Sequence, residues 1–310
     1  MSTEEWLLDS DPSIRWQVRR DLGGEADDVV AAERARVAGE GWGARLLALQ
    51  QPDGHWGGGV WVPGSWASTF ETLALLRELG LDPSSPEARQ AIARVGESCD
   101  WGPEWDHSPF FEGEVEPCIN GRVLAIGAYF GEPSERLVAR LLGEQLPDGG
   151  WNCDAPASER SSFNTTLCVL EGLLEYERSR GTAPAPEVRA ARLRGHEFLL
   201  ERRLFRRLST GEAITRDRKT GRDWRAPTFP TYWCYDVLRA LDYLRAAGDP
   251  WDDRASEAVD LVRGSMQPDG RWLLAPPRDG RVHFVMEQPG APSRWVTLRA
   301  LRVLDWFEAR

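Results

Sequence analysis

A short turn sequence occurs three times in the chain, and internal repetition of this kind restricts the possible folds more than any other feature. The copies read Gln51-Pro52-Asp53-Gly54-His55-Trp56, Gln145-Leu146-Pro147-Asp148-Gly149-Gly150-Trp151 and Gln267-Pro268-Asp269-Gly270-Arg271-Trp272. Pro-Asp-Gly favours a turn because proline presets φ, aspartate bonds its own backbone and glycine accepts positive φ. Each copy lies between two apolar patterns of helical period, which predicts stacked helical hairpins.

The second helix of each hairpin aligns internally on a short apolar core. The five cores are Thr72–Leu76, Val123–Ile126, Thr166–Leu170, Val237–Leu241 and Thr297–Leu301. The N-terminal segment Pro12–Val18 is similar to Pro292–Thr297 and supplies a sixth. Six such helices predict a closed ring, and we expect the three repeat tryptophans to pack at the junctions between repeats rather than in a cavity.

Amphipathic segments between these cores predict an outer ring of helices. They are Ala26–Ala38, Pro86–Cys99, Glu187–Phe205 and Asp252–Met266. The region 272–286 differs, because two short apolar runs flank a Pro-Pro-Arg-Asp-Gly sequence, and this predicts a small β-hairpin.

The three tryptophan-containing turns resemble the QW motifs of the terpenoid cyclase and protein prenyltransferase superfamily, which includes squalene cyclases and the prenyltransferase and squalene oxidase repeat proteins. The resemblance extends over nearly the whole chain. It implies an all-α fold, an α/α toroid formed as one domain over residues 1–310. It also implies a central cavity for a hydrophobic, isoprenoid-like small molecule.

The chain shares these turns with that superfamily but lacks its catalytic motifs. The string Asp9-Ser10-Asp11-Pro12 stops short of the cyclase acid motif Asp-x-Asp-Asp. The fifth repeat, Thr231–Tyr235, lacks the Asp-x-Cys of the prenyltransferase zinc site, and the sixth, Ser293–Val296, lacks its histidine. The resemblance therefore implies a fold and a ligand class, and neither reaction carries over.

Composition excludes several classes of function. The net charge of −11 argues against a nucleic-acid partner, so an anionic substrate would need locally clustered arginines. Five cysteines without a C-x-x-C pair indicate a reducing compartment. The acidic N-terminus begins no apolar signal region, and no apolar run reaches the roughly 20 residues of a transmembrane helix. We therefore predict a cytoplasmic protein without a transmembrane segment.

The functional site is expected where the N-termini of the inner helices converge, because polar residues differ there from repeat to repeat and helix N-termini carry positive potential. The residues proposed as catalytic are Cys118, Asp154 and Asp236. The residues expected to bind substrate are Trp16, Asn120, Asn164, Tyr235, Arg294 and Trp295.

The cysteines leave three interpretations open. Cys118, Cys153 and Cys234 would form a zinc site if His283, Asp154 or Asp236 completed a tetrahedral shell, so zinc is the cofactor that these residues suit. Cys118 alone, after Pro117 at a helix start, would be an activated thiolate with His107 or His283 as base. Free cysteines are also commonly buried as small hydrophobic residues.

Carboxylates provide a second type of chemistry. Two of them facing across a tryptophan-rich cavity would suit glycoside hydrolysis, although each is equally typical of a helix cap or a surface acid. The candidates are Glu71, Glu112, Glu114, Glu116, Asp154 and Asp236. Three functions follow from the sequence: an enzyme or binder for an isoprenoid-like molecule, a carbohydrate-active toroid, and a non-catalytic protein that sequesters a ligand.

Overall fold

The computed structural model of the chain describes residues 1–181 and 185–310. Within these ranges the regular structure is helical, and no helix is long and apolar enough to cross a bilayer. The helices are α1 (Thr3–Leu8), α2 (Pro12–Asp21), α3 (Asp27–Ala35), α4 (Gly41–Leu47), α5 (Thr69–Leu79), α6 (Pro86–Ser98), α7 (Pro117–Phe130), α8 (Glu135–Gly143), α9 (Phe163–Ser179), α10 (Pro186–Glu201), α11 (Val237–Ala247), α12 (Ser256–Gly264) and α13 (Arg294–Glu308).

Six of these helices, α2, α5, α7, α9, α11 and α13, form an inner ring that contains all the predicted cores. Helices α3, α4, α6, α8, α10 and α12 pack behind them. The ring closes between the ends of the chain, where Arg302 on α13 donates to Gln17 and Asp21 on α2 at 3.1 Å each. The predicted all-α toroid with its inner and outer rings is therefore confirmed.

The three repeat tryptophans, Trp56, Trp151 and Trp272, have the same environment in each copy. All are at most 1% exposed, and each indole N–H donates to a carbonyl near the end of the preceding outer helix at 2.7–2.8 Å. Each backbone N–H donates at 3.0 Å to a threonine hydroxyl of the next inner helix. The tryptophans are thus structural and lie outside the cavities, as predicted from the sequence.

The glutamine of the turn is Gln50 in the first copy, one residue before the expected Gln51. The side chain of Gln50 donates at 3.0 Å to Gly54 within the turn and to Ala91 of the next outer helix, and Gln145 makes the same pair of bonds to Gly149 and Ala191. Both glutamines stand six residues before the tryptophan, where the third copy has Met266. The glutamine therefore joins successive outer helices in two of the three copies.

The β-hairpin predicted near 272–286 does not form. Leu273 makes an isolated bridge with Pro292, and Arg281 makes one with Ser65 on a distant loop. The backbone N–H of Leu274 donates to the Ala291 carbonyl at 2.9 Å and that of Ala275 to the Pro227 carbonyl at 3.1 Å, so the first run bonds other segments instead of the second run. This segment folds over the N-terminal mouth of the ring, where Arg278 and Asp279 line a cavity.

Helices α7 and α9 make the most extensive contact of the inner ring, and glycine permits it. A Cβ on Gly121 of α7 would lie 2.6 Å from the Cys168 carbonyl oxygen, and one on Gly172 of α9 would lie 2.2 Å from the Gly121 carbonyl oxygen. Any larger residue would therefore force the two backbones apart. This contact brings the start of α7 beside the loop that precedes α9.

Candidate functional site

Charged side chains cross the interior of the ring and lie between two cavities. Glu71 and Arg122 form a buried bidentate pair with N–O distances of 2.9 and 2.6 Å, and Glu171 and Arg239 form a part-buried one at 2.8 and 2.6 Å. The first pair borders a cavity of 730 Å³ at the N-terminal mouth of the inner helices. The second borders a cavity of 560 Å³ at the C-terminal mouth. The two cavities have no lining residue in common among the described residues.

Aromatic side chains form much of the wall of the N-terminal cavity. They come from four parts of the chain: the loop before α5, the starts of α5 and α9, and the loop before α11. They are Trp61, Trp66, Phe70, Phe163, Trp224 and Trp233. Phe163 and Trp224 pack with their ring centroids 4.8 Å apart, and Trp66 stacks on Tyr232 at 4.2 Å. This wall suits an apolar or planar ligand.

Arginines surround the entrance of the same cavity. Four of them are exposed and the fifth, Arg278, is half-buried over the Trp233 ring at 5.2 Å. None is ion-paired with a carboxylate in the part of the chain that the structure describes. The five are Arg160, Arg207, Arg216, Arg218 and Arg278. Together with the N-termini of the inner helices they make this mouth positive, although the chain as a whole carries a net charge of −11.

Asp217 organises the loop that carries Arg216 and Arg218. Its carboxylate accepts from the Asn164 amide at 2.7 Å and from the backbone N–H groups of Lys219 and Thr220 at 2.9 and 2.7 Å. Burial opposes ionisation of Asp217, but these hydrogen bonds outweigh it and lower its pKa. The loop is therefore fixed to α9, and the arginines on either side of Asp217 point to the entrance region that they line.

Two thiols and one carboxylate meet at one side of this cavity. One ligand atom each from Glu116, Cys118 and Cys153 lies within 4.8 Å of the other two. The Cys118 sulfur is 3.6 Å from a Glu116 oxygen, and the Cys153 sulfur is 3.4 Å from the Thr165 hydroxyl. Interaction between the two thiols, with burial, raises the pKa of Cys118, and the same interaction lowers the pKa of Cys153.

Besides the candidate acids Glu71 and Glu116, the structure brings four of the residues expected from the sequence into this cavity. Cys118 and Cys153 are half-buried, Asp154 is exposed and paired with Lys219 at 3.1 Å, and Asn164 is mostly buried. Asn164 also accepts from the backbone N–H of Tyr235 at 2.6 Å, so it connects α9 to the start of α11. Asn164 therefore borders the cavity and also has a structural role.

Three other residues expected to contact substrate or to react have structural roles instead. Asp236 caps α11 by accepting from the Arg239 backbone N–H at 2.7 Å, and burial raises its pKa. The Tyr235 hydroxyl donates to the Leu204 carbonyl at 2.6 Å. The Asn120 amide holds the backbone of Glu114 with bonds of 2.8 and 2.9 Å. None of these side chains lines either of the two cavities.

The remaining predicted substrate residues lie away from the N-terminal cavity. Trp16 and Trp295 line the C-terminal cavity, where the Trp16 indole donates to the Leu79 carbonyl at 3.0 Å. Arg294 joins the N-terminal segment to α13, with its guanidinium 4.5 Å from the centre of the Trp6 ring. The internal alignment gave the helix on which each residue lies but not the direction of its side chain along the ring axis.

The expected four-ligand zinc set is not assembled. Cys234 is 3% exposed and lies outside the Glu116, Cys118 and Cys153 group. His283 has its Nε2 atom 2.8 Å from the Thr72 hydroxyl and borders a separate apolar cavity of 160 Å³. The region 272–286 does not form the predicted hairpin, and His283 lies in this other cavity. The carboxylate beside the thiols is Glu116, which the sequence offered only as a general acid or base.

The other proposed acid/base carboxylates are already occupied. Glu71 is bound by Arg122, Glu112 accepts from Ser134 at 3.1 Å, and Glu114 accepts from the backbone N–H of Glu116 at 2.8 Å. With Asp236 serving as a cap and Asp154 paired with Lys219, the candidate acids do not supply two unpaired carboxylates that face each other across the cavity. The geometry therefore does not favour glycoside hydrolysis.

The C-terminal cavity contains even more arginines, but all of them have acid or carbonyl partners within the protein. Six are ion-paired with acids of the same cavity, and the other two donate to carbonyls at the helix ends. The eight are Arg20, Arg34, Arg77, Arg178, Arg239, Arg245, Arg299 and Arg302. These arginines neutralise five acids of the cavity and bind carbonyls at the ends of α5 and α11, so this mouth has a structural network of charges.

Sequence reasoning missed the arginines at the entrance and most of the aromatic wall. They come from irregular segments, which have no repeat partner with which to be aligned. One signal was available: segments 208–227 and 273–291 are among the longest irregular stretches, and Arg216, Arg218, Trp224 and Arg278 lie within them. Long ordered loops at the mouth of a barrel commonly carry the binding residues.

Comparisons with known proteins give structural overlaps only. No family model and no curated protein sequence matches the chain. A protein from Actinoplanes overlays on 96% of this chain and 90% of its own, with 19% identity and a TM-score of 0.44. The type II terpene cyclase MstE from Scytonema overlays on 93% and 86%, with 17% identity and a TM-score of 0.43. The ent-copalyl diphosphate synthase from Streptomyces platensis overlays on 94% and 53%, with 17% identity and a TM-score of 0.42.

Proposed function

We propose that the N-terminal cavity binds a hydrophobic, isoprenoid-like small molecule that carries an anionic head group. The observation that carries this proposal is that six aromatic side chains and five arginines, which have no carboxylate partner within residues 1–181 and 185–310, line the same 730 Å³ cavity. The isoprenoid class follows the likeness of the tryptophan-containing turns to QW motifs. The anionic head group follows the charge of the entrance.

The size and wall of the cavity support an apolar chain. Pockets for small ligands commonly measure about 300–1,000 Å³ and are lined by apolar and aromatic side chains with a few polar groups. Phe70 and Phe163 lie deep and are 1% and 8% exposed, whereas Trp61 lies at the entrance and is 55% exposed. An apolar chain inserted along this wall would replace water next to aromatic surface, which favours binding.

The position of the charges supports a head group at the entrance. Arginine guanidinium groups suit phosphate and carboxylate oxygens because they donate in a fixed fork. Arg216 and Arg218 are held by the Asp217 loop, and Arg278 reaches the entrance from the 273–291 segment. The head group would therefore remain at the mouth while the chain enters the aromatic part of the cavity.

We do not assign an acid-initiated cyclisation to this cavity. A proton donor for an alkene needs a carboxyl group with a raised pKa in the apolar part of the cavity. Glu71 is the carboxylate that lies deepest, and it is held in the bidentate pair with Arg122. The sequence also lacks the Asp-x-Asp-Asp motif of the cyclases, so we propose binding and assign no reaction.

Calorimetric titration with three probes tests the proposal. We expect farnesyl diphosphate to bind more tightly than farnesol, which lacks the charge, and than inorganic diphosphate, which lacks the chain. Trp61→Ala should weaken binding of farnesyl diphosphate and leave folding intact, because this side chain is exposed. Trp251→Ala removes a tryptophan that lines none of the three cavities described above and serves as the matched control.

Two results would overturn the proposal. Equal binding of farnesyl diphosphate and inorganic diphosphate would mean that the aromatic wall does not hold the chain. Equal weakening by Trp61→Ala and Trp251→Ala would mean that binding is not located in the N-terminal cavity. If only farnesol binds, the cavity binds an apolar chain and the assignment of an anionic head group is wrong.

A further inference from the structure

Besides the ligand cavity, the start of α7 brings together three side chains of a kind that bind metal ions. Glu116 is the residue before α7, Cys118 is the second residue of the helix, and Cys153 lies in the loop before α9. One oxygen and two sulfur atoms from these residues lie within 4.8 Å of one another. We propose that Glu116, Cys118 and Cys153 bind one zinc ion at the edge of the N-terminal cavity.

The distances are close to those that zinc requires. With Zn–S bonds of about 2.3 Å and Zn–O bonds of about 2.1 Å, tetrahedral ligand atoms are roughly 3.5–3.8 Å apart. The Cys118 sulfur is already 3.6 Å from the Glu116 oxygen, and the third atom is within 4.8 Å. Side-chain rotation alone closes the remaining gap, because Cys118 and Cys153 are both half-buried next to open cavity volume.

The backbone around the site holds the three groups together. Gly121, one turn after Cys118, allows α7 to contact α9 closely enough that a Cβ there would lie 2.6 Å from the Cys168 carbonyl oxygen. Cys153 is fixed from the other side, because Trp151 is buried in the repeat turn two residues earlier. The arrangement therefore depends on the tightest helix contact of the ring rather than on a mobile loop.

The donor set selects zinc over the common hard cations. Two thiolates and one carboxylate suit a borderline-soft ion, whereas magnesium and calcium prefer oxygen-only sites. Lys219 neutralises the adjacent Asp154 at 3.1 Å, so this carboxylate adds no net charge beside the site, and the N-terminus of α7 contributes a positive partial charge.

Three protein ligands leave the fourth tetrahedral position open. Glu116, Cys118 and Cys153 all line the N-terminal cavity, so that position can face its interior. Zinc sites with three protein ligands and one open position are typical of catalysis, while sites with four are typical of structure. The ion would provide the cavity with a Lewis acid beside the arginines, and this inference does not depend on which ligand the cavity binds.

Metal titration of the fully reduced protein tests the site. The protein is treated with chelator, all five thiols are shown to be free, and zinc is added in competition with a chromophoric chelator. We expect one equivalent to bind, and cobalt in its place should give a thiolate-to-metal charge-transfer band in the near ultraviolet. Cys118→Ser, Cys153→Ser and Glu116→Gln should each weaken zinc by at least about tenfold. Cys234→Ser, which changes a buried thiol outside the group, should bind zinc like the wild type.

Three outcomes would overturn the proposal. One is zinc binding to the Cys118→Ser/Cys153→Ser variant as tightly as to the wild type. Another is the absence of a charge-transfer band with cobalt while the thiols are free and the protein shows its native circular dichroism. Loss of zinc in Cys234→Ser at unchanged thermal stability would move the site to another set of cysteines and would equally contradict this assignment.

Discussion

The two mouths of the ring differ in what their charges contact. The C-terminal mouth has eight arginines, and carboxylates or helix-end carbonyls bind all of them. The N-terminal mouth has five arginines at its entrance, and none has a carboxylate partner among the described residues. The number of cations near a cavity is thus a poor guide to function. Their state of pairing separates a structural network from a surface that can receive an anionic ligand.

The polarity of the inner helices explains why the charges at the two mouths are arranged differently. The inner helices present their negative C-terminal ends to one mouth, so arginines there neutralise carbonyl groups as well as acids. Their N-terminal ends face the other mouth, where added arginines reinforce a positive potential instead of cancelling it. We infer that charge was placed at the first mouth for stability and at the second for binding.

The two mouths should differ most in the stability that is lost when one of their arginines is removed. Arg239→Ala leaves the part-buried Glu171 carboxylate without its partner, and we expect a loss of about 3 kcal/mol in the free energy of unfolding. Arg216→Ala, at the N-terminal mouth, should change it by less than about 0.5 kcal/mol. Urea denaturation of both variants makes the comparison.

A double variant controls that experiment. Replacing both partners by apolar residues, Arg239→Met with Glu171→Leu, should recover much of the lost stability because no unpaired charge is left. If Arg239→Ala proves as stable as Arg216→Ala, the arginines of the C-terminal mouth are not structural and the contrast between the mouths fails.

Acid should selectively weaken the C-terminal side of the molecule through His196. Burial, followed by the Arg192 guanidinium, lowers the pKa of His196 to about 4. Its Nε2 atom lies 3.2 Å from an Arg192 nitrogen and 2.6 Å from the hydroxyl of Tyr243, which lines the C-terminal cavity. Arginine can only donate, so Nε2 must accept, and the folded state keeps the neutral imidazole.

The sign of this effect follows from proton uptake. Below pH 6.5 the unfolded chain protonates this histidine, whereas the folded chain does so only near pH 4, so stability falls as the pH decreases from 6.5 to 4. The contribution of His196 is on the order of 2–3 kcal/mol. Urea denaturation at pH 7 and pH 4.5 measures the loss, and His196→Gln should reduce it. An equal loss in wild type and variant would assign the acid sensitivity to other groups.

The arginines of the N-terminal entrance should affect affinity and not stability. Arg216→Gln removes one charged donor without leaving a buried partner, so we expect binding of farnesyl diphosphate to weaken by about tenfold or more. The thermal unfolding temperature should not change. Arg20→Gln, at the C-terminal mouth, is the matched control and should leave the affinity unchanged. Equal affinity in Arg216→Gln and the wild type would remove this arginine from the head-group site.

Salt should give the smallest effect and should again separate the mouths. The entrance arginines Arg160, Arg207, Arg216 and Arg218 are exposed, so their attraction for an anion is screened as the ionic strength rises. Binding of farnesyl diphosphate should weaken between 50 mM and 500 mM salt, while the buried pairs of the C-terminal mouth keep the protein equally stable. Affinity that is independent of salt would indicate that the head group is bound elsewhere.

The fold could be predicted because repetition is visible along a single sequence. Trp56, Trp151 and Trp272 occupy the same place before every second inner helix, α5, α9 and α13, so a one-dimensional pattern contained the three-dimensional arrangement of the ring. The Gln51 assignment failed by one residue because Gln50 precedes it and the third repeat has Met266 instead. The pattern could not tell two adjacent glutamines apart.

The site could be predicted only in part. Cys118, Cys153, Asp154 and Asn164 were found because they lie at equivalent positions near inner-helix starts, and all four line the N-terminal cavity. The positions of Arg216, Arg278 and His283 depend on irregular segments that fold over the mouth, and no periodicity describes such segments. Side-chain direction was the other gap, since Trp16 and Trp295 lie on the expected helices but line the opposite cavity.

The most direct test of the account is a titration of farnesyl diphosphate into two triple variants, each lacking three arginines of one mouth. The first is Arg160→Gln/Arg216→Gln/Arg278→Gln and the second is Arg20→Gln/Arg34→Gln/Arg178→Gln, with circular dichroism confirming that both are folded. We expect the first variant to bind at least about 100-fold more weakly than the wild type and the second to bind equally well. Weakened binding in the second variant alone would place the ligand in the C-terminal cavity and contradict the account.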